Sequence, residues 1–265
     1  MKRFASIVAA VLAYASSLLS QSAVVTQEAA PVISSSWSPT SPANTLKLYA
    51  RHQDISGVDT LPSASWVTHT GPDLAASITL QPIYRASGPG GRAYFEYDGV
   101  DDTSATAAFA SSQSQSYTIA IVWRSRVFDT GANKYLIDGI DSGARGGVLH
   151  WAPDNGTVSL FAGGTITSSL INGTRTTNAW HFGLIEMNGA SCRVAFDNAA
   201  FTSIDAGDIG SHALTGLTVG SAFNGTVNSP TDWLEIVIWN GVLGSGDFQS
   251  ATNYFNAIRT GAALP

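Results

Sequence analysis

Tyr117-Thr118-Ile119-Ala120-Ile121-Val122-Trp123 places Tyr117, Ile119, Ile121 and Trp123 at every second position. A period of two is that of a β-strand, whose successive side chains point to opposite faces of a sheet. The period recurs in Trp180-His181-Phe182-Gly183-Leu184-Ile185-Glu186, which groups Trp180, Phe182 and Leu184. It recurs again between Trp233 and Trp239, where Leu234, Ile236 and Ile238 are expected to line one side. Between such runs lie Asn-Gly pairs at Asn155, Asn172, Asn188, Asn224 and Asn240, and Asp-Gly pairs at Asp98 and Asp138. These dipeptides accept the positive φ angles of tight hairpins, so their number predicts antiparallel pairing. One helix is expected near the end, with Ser245 as cap, Phe248, Ala251, Phe255 and Ile258 at helical spacing and Gly261 as stop, closing one rim. The fold class read from these features is all-β, a two-sheet antiparallel sandwich with a short C-terminal helix and an N-terminal extension.

Composition bounds the rest. With 265 residues, 44% of them hydrophobic, the chain can bury one large core. Only 12% of residues are charged and the net charge is -6, so no phosphate-neutralising surface exists and nucleic acid is excluded as a partner. Cys192 is the single cysteine, which rules out an intrachain disulfide; its alternating strand context points to a buried structural thiol.

Three segments are expected. Residues 1–20 form an apolar N-terminal segment: Met1-Lys2-Arg3 precedes an apolar run from Phe4 to Ala15, too short to span a bilayer comfortably. Two readings of it stay open, a cleaved secretory signal and a retained docking arm. Residues 21–43, rich in Ser, Pro and Ala, read as a linker. Residues 44–265 form the sandwich domain.

Two stretches carry a family resemblance. Leu46-Lys47-Leu48-Tyr49-Ala50, then Trp66, Gln81-Pro82-Ile83-Tyr84 and Ala93 to Asp102, resembles the opening of laminin-G-like (concanavalin A-like) jelly-roll domains. Trp233 to Asn240, followed by Leu243 and the terminal helix, resembles their close. The resemblance implies a two-sheet jelly roll, a fold used for glycan binding and adhesion in bacterial exported proteins and phage virions; fold alone does not fix function. It also implies calcium at a rim, for which Asp101 and Asp102 are the nearest candidates and Asp138 and Asp141 the next. No cofactor is required on this reading, and calcium is the one metal it allows.

Chemistry-bearing motifs are sparse. The four glutamates, Glu28, Glu96, Glu186 and Glu235, stand apart in sequence, with Asp98 the sole near neighbour of Glu96, so no hydrolytic carboxylate pair is evident. The five histidines lack zinc-pair spacing, and no nucleophile elbow or phosphate-binding loop is present. Glycan contact needs an aromatic platform beside amides or carboxylates. Trp151 with Asp154 and Asn155 is one such grouping, and Trp66 with His69 is a second.

Taken together, these readings predict a non-enzymatic surface protein. The leading expectation is a virion component, a phage capsid decoration, head-fibre or tail-associated protein. Its N-terminal arm would dock on capsid or tail proteins or on copies of itself as a homo-oligomer, and its sandwich would face host glycans. The alternative is a secreted bacterial carbohydrate-binding or adhesion domain at the cell surface, and a polysaccharide-active hydrolase ranks third.

Overall fold

Among the described residues, hydrogen bonding organises the alternating segments into two antiparallel sheets of eight strands each. The computed structural model describes residues 37–57, 59–63, 65–127, 134–150, 158–163, 167–171, 175–197, 202–203 and 209–264, all within one unit spanning Ile33–Pro265. The first sheet holds β1 (Leu46–Ala50), β4 (Ile83–Arg85), β5 (Tyr94–Glu96), β7 (Tyr117–Ser125), β12 (Trp180–Met187), β13 (Arg193–Phe196), β14 (Thr202–Ser203) and β16 (Thr231–Asn240). Its order is β14-β13-β12-β7-β16-β5-β4, with β1 also paired to β16. The second sheet holds β2 (Ser65–Trp66), β3 (Leu74–Ala75), β6 (Ser104–Thr106), β8 (Lys134–Asp138), β9 (Gly147–His150), β10 (Val158–Phe161), β11 (Thr167–Ile171) and β15 (Thr218–Val219), in the order β11-β10-β9-β8-β15-β6-β3-β2.

The expected inner face of β7 is confirmed. Tyr117, Ile119, Ile121 and Trp123 join Phe95, Trp233, Ile236 and Ile238 in a core that also contains Trp66, Leu136, Val148 and Leu160 from the second sheet. This shared core makes the two sheets a sandwich. In β16 the simple alternation breaks. Trp233 pairs with Trp123 but Glu235 pairs with Val122, so an extra residue bulges between them. Leu234 consequently lies with Val237 and Trp239 on the outer face, while Ile236 and Ile238 point inward. A bulge shifts side-chain parity by one, which a strict period of two cannot anticipate.

The helix, α1 (Ser245–Thr260), packs Ala251, Tyr254, Phe255 and Ile258 on the outer face of the first sheet against Val122, Phe182, Leu184 and Val237. It therefore covers a sheet face instead of closing a rim, and β7 and β16 are buried on both sides. Gly244 occupies the cap position expected for Ser245, and Gly261 ends the helix in the left-handed region at φ 75°. The turn dipeptides on described residues lie at strand ends or within connections but close no two-residue hairpin; Asn188-Gly189, for example, opens the longer 188–192 connection from β12 to β13. Asn155-Gly156 and Asn172-Gly173 lie outside the described residues. Residues at the end of the expected linker rest on the domain: Trp239 Nε1 donates to Pro39 O at 2.8 Å, and Trp37 packs on Tyr254 with centroids 5.5 Å apart. Cys192 is buried as expected.

Candidate functional site

Beyond the helix, the outer face of the first sheet carries a polar row. Cross-strand partners share a face. Trp180 on β12 is opposite Arg124 on β7, Arg124 is opposite Asp232 on β16, and Asp232 is opposite Glu96 on β5. Four adjacent strands thus contribute one residue each, spanning roughly 14 Å at a strand spacing of ~4.8 Å. Tyr94 lies two positions before Glu96 on the same face and pairs with Arg85 of β4, and Arg126 follows Arg124 by two. Alternation explains the set: Phe95, Trp123 and Trp233 turn into the core, so Tyr94, Glu96, Arg124 and Asp232 turn out.

Charge pairing fixes the row. Arg124 Nε donates to Asp232 Oδ2 at 2.5 Å and its Nη2 to Tyr94 Oη at 3.3 Å. The guanidinium carbon of Arg124 lies 5.0 Å from the Trp180 ring centroid and 5.4 Å from that of Tyr94, and the two rings meet edge to face at 5.4 Å. Arg85 Nε donates to Glu96 Oε2 at 2.6 Å; Arg126 Nη1 donates to Glu96 Oε1 and its Nη2 to Tyr97 O. Arg126 Nε stands 3.6 Å from Asp232 Oδ1. The side chains of Arg85, Arg124 and Arg126 are 29%, 24% and 28% exposed, whereas Asp232 is fully buried.

The two carboxylates differ electrostatically. Burial pushes the Asp232 carboxyl up to about 6, against the opposing pull of Arg124 and Arg126. Burial would also raise Glu96, yet its bond from Arg85 and the charge of Arg126 hold it below the usual glutamate range. Asp232 is sealed beneath the guanidinium groups, so this pair presents Glu96 and three arginines outward rather than two acids to a glycosidic bond. Sequence reasoning missed the row because Glu96 was weighed only against Asp98. Strand alternation could have put Tyr94 with Glu96 and Arg124 with Arg126, but the register joining β5, β7, β12 and β16 is set by pairing distant in sequence.

The candidates read from sequence fare differently. Trp66 is 2% exposed, meets Phe95 edge on at 5.5 Å and donates its indole N–H to Arg51 O, so it is a core residue and not a sugar platform. His69 is exposed and sits edge-on to Tyr49, on the opposite side of its strand from Trp66's core environment; the two do not form one surface. Trp151, Asp154 and Asn155 lie outside the described residues. Asp138 is fully buried and held by Arg145, whose guanidinium carbon stands 4.6–5.2 Å from the rings of Tyr135, Phe161 and Phe223, so it is an ion-pair partner and not a metal ligand. Asp141 caps its own loop by accepting from Gly143 N.

Asp101 and Asp102 do converge, joined by Asp98: one carboxylate oxygen of each lies within 4.8 Å of the others. Asp98 Oδ1 accepts from Val100 N at 2.7 Å, Asp102 Oδ2 accepts from Asp98 N at 2.7 Å, and Gly99 takes φ 80° where a Cβ would strike Pro230. Burial, then repulsion from Asp98 and Asp101, raises the Asp102 carboxyl to about 6. Nearby, Asn228 donates to Val100 O while its own Oδ1 is buried without a partner. All-oxygen donors at this spacing fit a hard cation such as calcium.

No protein-family model and no curated protein sequence matches this chain. Solved structures match in fold. A Trypanosoma rangeli sialidase in complex with sialic acid is similar at TM-score 0.54 and 10% identity, over 82% of this chain and 34% of the sialidase. An arabinofuranosidase complexed with arabinofuranosyl-alpha-1,2-xylobiose is similar at 0.55 and 9% identity, over 75% of this chain and 51% of the enzyme. The binding domain of Paraclostridial Mosquitocidal Protein 1 is similar at 0.53 and 12% identity, over 79% and 52%. The chain therefore spans about a third of the sialidase and about half of the other two. These likenesses show a β-sandwich fold. They also correct the expectation of a non-catalytic virion component: the neighbours are two carbohydrate-acting enzymes and a toxin's binding domain, not capsid, fibre or tail proteins.

Proposed function

We propose that this chain is a carbohydrate-recognition sandwich of the concanavalin A-like, laminin-G type, and that it binds saccharide along the Trp180–Arg124–Asp232–Glu96 row. The observation that carries the reading is the row itself: partly exposed aromatic rings, three guanidinium groups and a carboxylate aligned on one rigid sheet face. Sites on sheet backbones hold geometry better than sites on loops, and a saccharide needs both a ring contact and fixed hydrogen-bond donors. Fold neighbours that act on sialic acid or arabinofuranosyl-xylobiose lend support. Asp232 is fully buried, so the row would meet a saccharide through Trp180, the guanidinium groups and Glu96. An exported setting is part of the proposal, supported by the basic and apolar opening of the sequence, and calcium at Asp98, Asp101 and Asp102 would brace the adjoining rim. A glycan array probed with the full chain, the Trp180→Ala variant and the Arg124→Ala variant tests it. Hits lost in both variants support the reading; an array without hits, or hits unchanged in both, overturns it.

A further inference from the structure

Resting on that reading, we infer that the saccharide unit seated on the row carries a carboxylate, and that Arg85 and Arg124 grip it. Three guanidinium groups, those of Arg85, Arg124 and Arg126, gather here around Glu96 and Asp232, and Asp59 also acts on Arg85. In a chain with only 13 Lys and Arg and a net charge of -6, three guanidinium groups are concentrated on one face.

The donors left over are specific. An arginine offers five N–H donors in a planar fork. Arg85 uses only its Nε, on Glu96, and among the described residues both terminal nitrogens carry no partner while the side chain is 29% exposed. Arg124 uses Nε and Nη2 on Asp232 and Tyr94, which leaves Nη1 without one among the described residues. Arg126, by contrast, commits both terminal nitrogens to Glu96 and Tyr97 and acts as a brace. The open fork of Arg85 matches a carboxylate through two parallel hydrogen bonds, which a lysine cannot reproduce, and Arg124 adds a single Nη1 donor.

The forks are also held in place before any ligand arrives. Glu96 fixes Arg85; Asp232, Tyr94 and Trp180 fix Arg124. Little side-chain freedom is then lost on binding, which favours a specific anion over diffuse charge attraction. A sulfate ester offers related oxyanion chemistry that a guanidinium fork also binds, so it forms a separate arm of the test.

The test compares binding of the full chain to polygalacturonate, to the same polymer with its carboxyls reduced to alcohols, and to a sulfated galactan. Binding to polygalacturonate at least tenfold tighter than to the reduced polymer, with Arg85→Lys and Arg124→Lys each losing most of that preference, is the expected result. Equal binding to acidic and reduced polymers overturns the carboxylate inference while leaving saccharide recognition standing. Preference for the sulfated galactan over polygalacturonate also overturns it. Failure to bind any of the three, together with an array without hits, removes the underlying reading as well. Circular dichroism of each lysine variant, expected to match the parent, separates lost grip from lost fold.

Discussion

Arg124 and Trp180 are direct partners across β7 and β12, and the guanidinium carbon of one stands 5.0 Å from the ring centroid of the other. The same guanidinium is tied to buried Asp232 on its other side, so a charged group, an aromatic ring and a fixed acid form one unit beside the apolar surface that α1 covers.

That unit should be divisible by mutation. Trp180→Ala removes the ring against which Arg124 rests, and Arg124→Ala removes a guanidinium fork; each should weaken glycan binding about tenfold or more, since stacking and bidentate contacts contribute roughly 1–3 kcal/mol apiece. Isothermal titration with a glycan-array hit measures this. Trp66→Phe is the matched control: it trims the core and lowers the melting temperature but leaves affinity unchanged.

Asp232 predicts a pH dependence. It is faced by Arg124 from β7, by Arg126 just past the end of β7 and by Glu96 from β5, with Tyr94 and Arg85 beyond. With its carboxyl raised to about 6, protonation below that value frees positive charge for an anionic ligand. Affinity for an acidic saccharide should therefore rise severalfold from pH 8 to pH 5, a range in which an ordinary sugar carboxylate stays ionised. Asp232→Asn should flatten the profile at the high-affinity end; an unchanged slope in that variant would count against the assignment.

Asp102 gives a stability prediction with a definite sign. Its folded value of about 6 lies above the ordinary 3.8, so the folded state holds the proton more tightly than the unfolded chain does. The contribution is full below about pH 4 and is lost as pH rises through 6, on the order of 2 kcal/mol for the metal-free protein. Millimolar calcium should restore it at pH 7 and raise the melting temperature. Asp102→Asn should be less pH-sensitive and insensitive to calcium, as read by thermal unfolding with and without chelator.

Helix α1 should be integral to the domain. Phe255 is fully buried and meets Trp239 edge to face at 6.3 Å. Phe255→Ala should cost about 3–5 kcal/mol in chemical denaturation, in line with large aromatic truncations in packed cores. A cost below about 1 kcal/mol would mean the helix is an appendage.

How much of this was legible in the sequence follows from the range of each signal. The inward face of β7 and the terminal helix are local patterns, and both could be read directly from residue spacing. The outward row depends on which strand lies beside which, and Glu96 meets Asp232 only because β5 pairs with β16 across about half of the chain. The bulge at Leu234 reversed one expected face for the same reason: parity within a strand is set by its partner as well as by its own alternation. Trp66 misled because a tryptophan near polar residues looks like a platform until its burial is known. Asp101 and Asp102 were visible because a tight loop brings sequence neighbours together.

Hydroxyl-radical footprinting of the full chain, with and without a bound glycan, tests the placement of the site most directly. Partly exposed Trp180 and Tyr94 should lose oxidation when the glycan is bound, buried Trp66, Trp123 and Trp233 should stay unreactive throughout, and Trp151 should not change. Protection of Trp151 with Trp180 and Tyr94 unaltered would contradict the account and move recognition away from the first sheet.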